Sequence, residues 1–416
     1  MHALGLLARR CRRLIAFALY GAVLVAASGC ASSPKPQTDT PLVLQPLPTP
    51  MPTPVVELRP LQDEAPPQST PLPEAGAAPT PAPQRGPAFV ALLLPTQSKS
   101  WRTAAETIRA GVLSAERTLS ASGMPQVRTV DTSDNEQDIL AAFQRAQAEG
   151  AVAVIGPLTK TAVSYIADNA QFDFPVIALN SFSEETLRRP HLYSFSLSVE
   201  TEAQQAARFV AEQGVNRPVV VLADGVLAKR MAQGFSEGWR LDRNTLPATL
   251  VVQGTDYTGL RAQLDSSGAD AIFLAADTRN ARRIRPFLGN MLPVFATSQI
   301  DPGGLGATAL VDLAGIRFLD IPWLADPDNP TYDFYKRTRG KSNDLERLFA
   351  LGVDAWRLAM ALRDTPPGNV RIDDGLTGRL SIGPDGVVQR TLVPRTLSAG
   401  RADLPPEAPL VEPLPQ

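Results

Sequence analysis

Residues 151–180 read AVAVIGPLTKTAVSYIADNAQFDFPVIALN, and their rhythm decides the fold. AVAVIGP (151–157) is an apolar run of strand length, a helix is expected near 160–170, and FPVIALN (174–180) is apolar again. Strands that are apolar without alternation are buried on both faces, which calls for parallel pairing with helices on each side of the sheet. The same alternation extends upstream. AFVALLL (88–94) precedes Trp101–Ser120, where Ile108, Val112, Ala115 and Leu119 recur at helical spacing; VRTVD (127–131) and a helix near 136–148 follow. After LYSFSLS (192–198) the series restarts: helix 200–213, RPVVVLAD (217–224), helix 226–240, ATLVVQG (248–254), helix 257–265, ADAIFLAAD (269–277), helix 279–288 and LPVFATS (292–298). Two doubly wound parallel sheets in succession predict a bilobed α/β molecule with a cleft at the carboxyl ends of the strands.

This region runs from residue 88 to 395, long enough for two lobes. GLTGRLSIGPDGVVQRTL (375–392) predicts a closing hairpin around Pro384-Asp385-Gly386. Before it, Leu345, Leu348, Phe349, Val353, Trp356 and Ala359 form a helical stripe that reads as core. The tail 396–416 returns to Pro and Ala and is expected to be disordered.

The N-terminus has a different character. Arg9, Arg10, Arg12 and Arg13 precede an apolar segment of about 15 residues ending in VAASGC (25–30), the form of an export signal over 1–29. A transmembrane helix needs about 20 apolar residues, so a permanent span is the alternative. The small residues before Cys30 resemble the lipobox of bacterial lipoproteins, which implies acylation of Cys30; a plain secreted protein cut near Ala31 is the competing reading. With Cys11 leaving in the signal and Cys30 acylated, no thiol remains to mispair in an oxidising compartment. Ala31 and Ser32, in place of an Asp, imply outer-membrane sorting by resemblance to enterobacterial lipoproteins. Residues 31–87 hold 17 prolines and are expected to be a disordered tether. Fully extended at ~3.1 Å per residue, such a tether reaches on the order of 175 Å.

Composition narrows the chemistry. Acidic and basic residues are balanced and interspersed, with a formal net charge of −2, which gives no nucleic-acid surface. Downstream of the signal the one histidine, His191, reads as a loop residue, so neither a zinc site nor a His-based triad can be assembled, and no G-x-S-x-G elbow occurs. Asp131, Asp134, Asp224, Asp277 and Asp301 fall near expected strand ends, where a carboxylate pair would suit a glycosidase, but caps and turns use such residues equally. DPGGLGAT (301–308) lacks both P-loop and dinucleotide spacing and reads as a turn. GPLTKT (156–161) opens a helix whose free N–H groups attract anions, so Thr159 either holds a ligand carboxylate or caps its own helix. By the same strand-end logic Gln97, Asn180, Ser181, Asp277, Ser298, Gln299 and Asp301 face the cleft. They suit a small polar ligand or a peptidoglycan fragment, or else bridge the lobes of a permanently closed form. No enzyme activity, cofactor or metal is expected.

Nine collinear stretches resemble the C-terminal domain of the LpoA family, outer-membrane lipoproteins that activate penicillin-binding proteins. They are VALLLPTQS (90–98), VIGPLTK (154–160), IALN (177–180), FSLSVETEAQQAARFV (195–210), NARRIRPFL (280–288), PVFATSQI (293–300), GIRFLDIPWL (315–324), RLFALGVDAWRLA (347–359) and GLTGRLSIGPDG (375–386). The resemblance implies a type I periplasmic-binding-protein fold with three crossings between lobes. The first lobe would hold about 88–197 and 321–366, the second about 198–320 and 367–395. It also implies a non-enzymatic regulator, anchored in the outer membrane and facing the periplasm, that binds and activates a class A penicillin-binding protein, a bifunctional peptidoglycan synthase. Enterobacterial members carry a helical-repeat domain as well; no 34-residue period is found here, only signal and tether. The reading from another class is a tethered solute-binding protein for an amino acid or similar small polar ligand.

Overall fold

The computed structural model describes residues 86–182, 189–254, 256–336 and 342–398. The signal, Cys30 and the Pro-rich segment lie outside the described residues.

The first sheet is parallel, in the order β2-β1-β3-β4-β5, from β1 (Phe89–Leu94), β2 (Gln126–Asp131), β3 (Ala151–Ile155), β4 (Val176–Ala178) and β5 (Leu192–Ser194). All six residues of β1 are buried, because α1 (Arg102–Leu119), α2 (Glu136–Ala148) and α3 (Lys160–Asn169) cover the faces that its unbroken apolar run offers. The edge strand β2 is mostly exposed, as its Gln, Arg and Thr content requires. Gly156, at φ +109°, turns the chain from β3 toward α3 against the Leu93 carbonyl, which would meet a Cβ there.

A second sheet repeats the plan with β6 (Pro218–Leu222), β7 (Ala248–Val251), β8 (Ala271–Ala275), β9 (Val294–Ala296), β10 (Arg317–Asp320) and β14 (Val393–Thr396) in the order β14-β10-β9-β8-β6-β7. Its helices are α4 (Val199–Glu212), α5 (Val226–Arg243), α6 (Leu260–Ser267), α7 (Thr278–Leu288) and the short α8 (Ala307–Asp312). Gly234 and Gly238 let α5 lie directly on the α4 backbone at Glu200 and Gln204. Phe235 stacks on Phe273 at 4.0 Å between centroids, seating α5 on β8.

The chain crosses between sheets three times. It leaves β5 for α4 through 195–198, leaves β10 through α9 (Pro322–Ala325) for α10 (Asn343–Asp364), and returns at Leu392 to β14. The 22-residue α10 packs on α1, where Gly111 and Gly352 bring the two backbones together: a Cβ on either would strike a carbonyl of the other helix, Phe349 or Ile108.

Three boundaries differ from expectation. The hairpin around Pro384-Asp385-Gly386 is β12 (Arg379–Ile382) and β13 (Val388–Thr391), which with β11 (Arg371–Ile372) make a small antiparallel sheet. It was expected with the second lobe, but Ser194 of β5 donates to the Gly386 carbonyl at 3.0 Å and bridges to Val387, so the hairpin borders the first sheet. Only β14 joins the second. Residues 396–397 belong to the fold and not to the tail: Thr396 ends β14, and Leu397, 1 % exposed, exchanges backbone hydrogen bonds with Gly315 and Ile316. An antiparallel edge partner for β10 holds them in place. Finally, α10 buries Glu346 and Arg347 while Leu345 and Leu348 stay half-buried, the reverse of the apolar stripe at that end of the helix.

Candidate functional site

The first turn of α10 explains that reversal, for it reaches from the first lobe into the strand ends of the second. Ser342 caps the helix by accepting from the Leu345 N–H, and the Asn343 N–H donates to the Pro302 carbonyl at 2.8 Å. Arg347 then spends its whole guanidinium across the crossing. Nε and Nη2 donate to Asp320 at 3.0 and 2.9 Å, Nη2 also reaches the Ser298 and Asp301 carbonyls, and Nη1 holds Asp344 at 2.8 Å. Arg395 of β14 approaches from the other side, at 2.8 Å from Asp320 and 3.3 Å from Asp301. Beside this lock the Trp323 indole donates to Glu346 at 2.8 Å.

Glu202 on α4 extends the network. Its carboxylate accepts from the Ser298 backbone N–H and, at 3.0 Å, from the Ser298 hydroxyl. Burial pushes its carboxyl up to about 7, against the pull of the Ser298 N–H and of Arg347. Burial also works against the Arg347 charge, but Asp320, Glu202 and Asp344 together hold the guanidinium above its ordinary value. Arg390 of β13 is driven below its ordinary value by burial, with Glu202, Asp354 and Asp320 pulling back. Midway along α10, Asp354 accepts from the Leu376 and Thr377 N–H groups and the Thr377 hydroxyl; burial raises its carboxyl even so.

A cavity of about 210 Å³ opens among these groups, lined in part by Glu202, Ser298, Gln299, Asp320, Arg347 and Arg390. Of the sequence-derived cleft residues, Ser298 and Gln299 line it. Asp301, 6 % exposed, stands behind it as the partner of Arg395 and Gly303. The others are spent locally. Thr159 caps α3 by accepting from the Ala162 N–H at 3.3 Å, and Asp277 caps α7 by accepting from Asn280 at 2.8 Å. Asn180 ties the loop after β4 to the loop after β3, donating to the Leu158 carbonyl at 2.8 Å and accepting from the Ser181 N–H. Gln97 is exposed, with its N–H on the Thr132 carbonyl at 3.1 Å. Asp131 and Asp134 accept from Thr96 and Ser98, and Asp224 from the Gly254 N–H. His191 is an exposed turn residue at φ +63° before β5.

Sequence reasoning missed Glu202, Asp320, Arg347, Arg390 and Arg395. The available signal was charge out of place: Arg347 and Asp354 interrupt an apolar helix, and Asp320 ends an apolar strand. What the arrangement does chemically is fasten two lobes through alternating buried charges. Breaking one such pair leaves an uncompensated charge, a cost of about 3–5 kcal/mol. Among the described residues no group of three His, Cys, Asp or Glu side chains could hold a metal ion, and no helix is long and apolar enough to cross a membrane.

Comparison with known proteins places this architecture. A penicillin-binding protein activator LpoA from Pectobacterium parmentieri is 30% identical over 328 residues, 65% of this chain and 47% of the relative. The chain thus spans about half the length of the curated relatives it matches. A solved structure from Chromobacterium violaceum, described as "a putative branched-chain amino acid ABC transporter", is 33% identical at a TM-score of 0.66, covering 74% of this chain and 99% of that one. The C-domain of Haemophilus influenzae LpoA, described as a regulator of PBP1A, is 27% identical at a TM-score of 0.63, covering 74% of this chain and 97% of that one. The fold is that of periplasmic-binding-protein-like domains, and the sequence matches one family over residues 81–258 and 251–395, nearly the whole of the two sheets: the chain belongs to the "LppC putative lipoprotein" family.

Proposed function

We propose that this protein is a non-enzymatic lipoprotein, held in the outer membrane through acylated Cys30, that binds a class A penicillin-binding protein and activates it. The observation that carries this reading is the match to the regulatory C-domain of H. influenzae LpoA along nearly the whole of that domain. The buried lock of Arg347, Asp320 and Arg395 supports it, since it spends on lobe fastening the strand-end groups that a catalytic or solute-binding cleft would present. Such an activator works by holding the synthase's active conformation more tightly than its inactive one, because equal affinity shifts nothing. The Pro-rich segment after Cys30 would carry the bilobed domain toward the synthase. The test is glycan polymerisation and peptide crosslinking by each class A synthase of the same organism, with and without the full chain in detergent. A rise in either rate is expected; no effect on any of them overturns the reading.

A second reading, transport-linked binding of an amino acid, is favoured by the likeness to the C. violaceum protein. The two separate by partner: envelope pull-downs recover a class A synthase under the first and transporter subunits under the second.

A further inference from the structure

The outer face of α7 carries charge that the fold leaves unused. Its sequence places four arginines within seven residues, Arg279, Arg282, Arg283 and Arg285. Arg282 pairs with Asp312 of α8 at 2.7 Å, and Arg285 donates to the Gly289 carbonyl at 2.8 Å. Arg279 and Arg283 are exposed one turn apart, and among the described residues neither has an ion pair. The acids nearby are already engaged, Asp265 of α6 with Arg261 and Asp277 with the Asn280 N–H. Beside the two arginines stand exposed apolar side chains, Phe287 on α7 and Val311 on α8, at 38 % and 60 % exposure. A face that is basic and apolar at once, on a chain whose formal net charge is −2, fits an acidic segment that carries apolar residues.

We propose that residues 401–412 of this same chain dock on that face, with Asp403 and Glu407 on Arg283 and Arg279 and with Leu404 and Leu410 against Phe287 and Val311. The segment reads RADLPPEAPLVE and holds three acids against one arginine. The route to α7 is short. Leu397 exchanges backbone hydrogen bonds with Gly315 and Ile316, three and four residues after Asp312, the partner of Arg282. Three residues span at most about 10 Å, and the six from Leu397 to Asp403 at most about 20 Å, so the first acid is within reach of the helix. A link of this length holds the acids at an effective concentration on the order of millimolar, which lets individually weak surface contacts persist. Prolines favour an extended backbone, so Pro405, Pro406 and Pro409 reduce the ordering that docking requires. The docked segment would shield α7 from other anions, a membrane surface among them. The proposal is independent of the synthase reading, and its test involves no synthase.

The test is modification of the full chain by phenylglyoxal, which attacks free guanidinium groups, with the rate at each arginine read by mass spectrometry. Asp403→Asn, Glu407→Gln and Glu412→Gln together neutralise the segment without touching either sheet. They should speed modification of Arg279 and Arg283 roughly threefold, as for a face covered about two-thirds of the time, and leave the exposed Arg208 of α4 unchanged. Salt at about 0.5 M should do the same to the wild type, by screening. Conversely, Arg279→Ser with Arg283→Ser should speed cleavage after Glu407 by a glutamate-specific protease by a similar factor. Equal modification rates in the wild type and the neutralised variant, or unchanged cleavage in the serine variant, would overturn the proposal. So would protection of Arg279 and Arg283 that grows with protein concentration, which gives the face to a second copy, or that arises only with phosphatidylglycerol vesicles, which gives it to a membrane.

Discussion

Replacing Glu202 by Gln should remove a pH dependence that the fold imposes. In the unfolded chain Glu202 titrates near the ordinary 4.5; in the folded protein burial raises it to about 7. Between those values the folded state holds a proton that the unfolded state has lost, so stability falls as pH rises through the window, by up to ~1.4 kcal/mol per pH unit. Integrated, the loss is about 3 kcal/mol, and it is complete above pH 7. Gln keeps the local geometry, because its carbonyl accepts the Ser298 N–H and its amide donates to the Ser298 hydroxyl. Asp354, raised for the same reason, contributes a slope of the same sign in both proteins and cancels from the comparison. Urea unfolding at half-unit steps from pH 5 to 8 should therefore show wild type losing stability relative to Glu202→Gln. The same gap should appear as several degrees in Tm at pH 8. A difference curve flat across this range would refute the claim that the buried carboxyl carries the proton.

Arg347→Met should cost about 3–5 kcal/mol in urea unfolding, because Asp320 is left buried with one cation in place of two. Gly352→Ala should cost on the order of 1–3 kcal/mol by forcing α10 off the Ile108 carbonyl of α1, read as a lowered urea midpoint. Thr159→Ala should lose about 1 kcal/mol of stability, the ordinary value of a helix cap, read as a lowered urea midpoint. Cys30→Ser should leave the precursor unacylated, read by intact mass; a lipid still attached after that substitution would contradict acylation at Cys30.

The fold was legible because its signal is additive. Phe89–Leu94, Pro218–Leu222 and Ala271–Ala275 are almost uniformly apolar, and each needs only a covered sheet to be explained. Strand-end reasoning places Ser298 and Gln299 at the cavity and Asp301 beside it, since a residue following a parallel strand must emerge at its carboxyl end. It failed to say what those residues meet. Glu202 is 96 positions from Ser298, and Asp320 is 27 from Arg347 and 75 from Arg395; no local pattern links them. Thr159 and Asp277 were ambiguous for a different reason: a hydroxyl or carboxylate before a helix caps it by the same geometry that would offer it to a ligand. At α10 the apolar spacing was real, but the helix end leaves its own lobe, where pairing with Asp320 overrides hydrophobic periodicity.

The strand that finishes the second sheet, β14, is also the last element of the fold, more than seventy residues after the β10 edge it covers. That order bears on assembly in time. Until Val393–Leu397 arrive, β10 presents an open edge and Asp320 lacks its Arg395 partner, so a chain emerging amino end first cannot complete the second lobe before nearly all of it has been delivered. Long-separation pairings of this kind fold slowly and leave apolar surface open meanwhile. The second sheet therefore closes last, when its carboxyl-terminal strand reaches the β10 edge and Arg395 reaches Asp320.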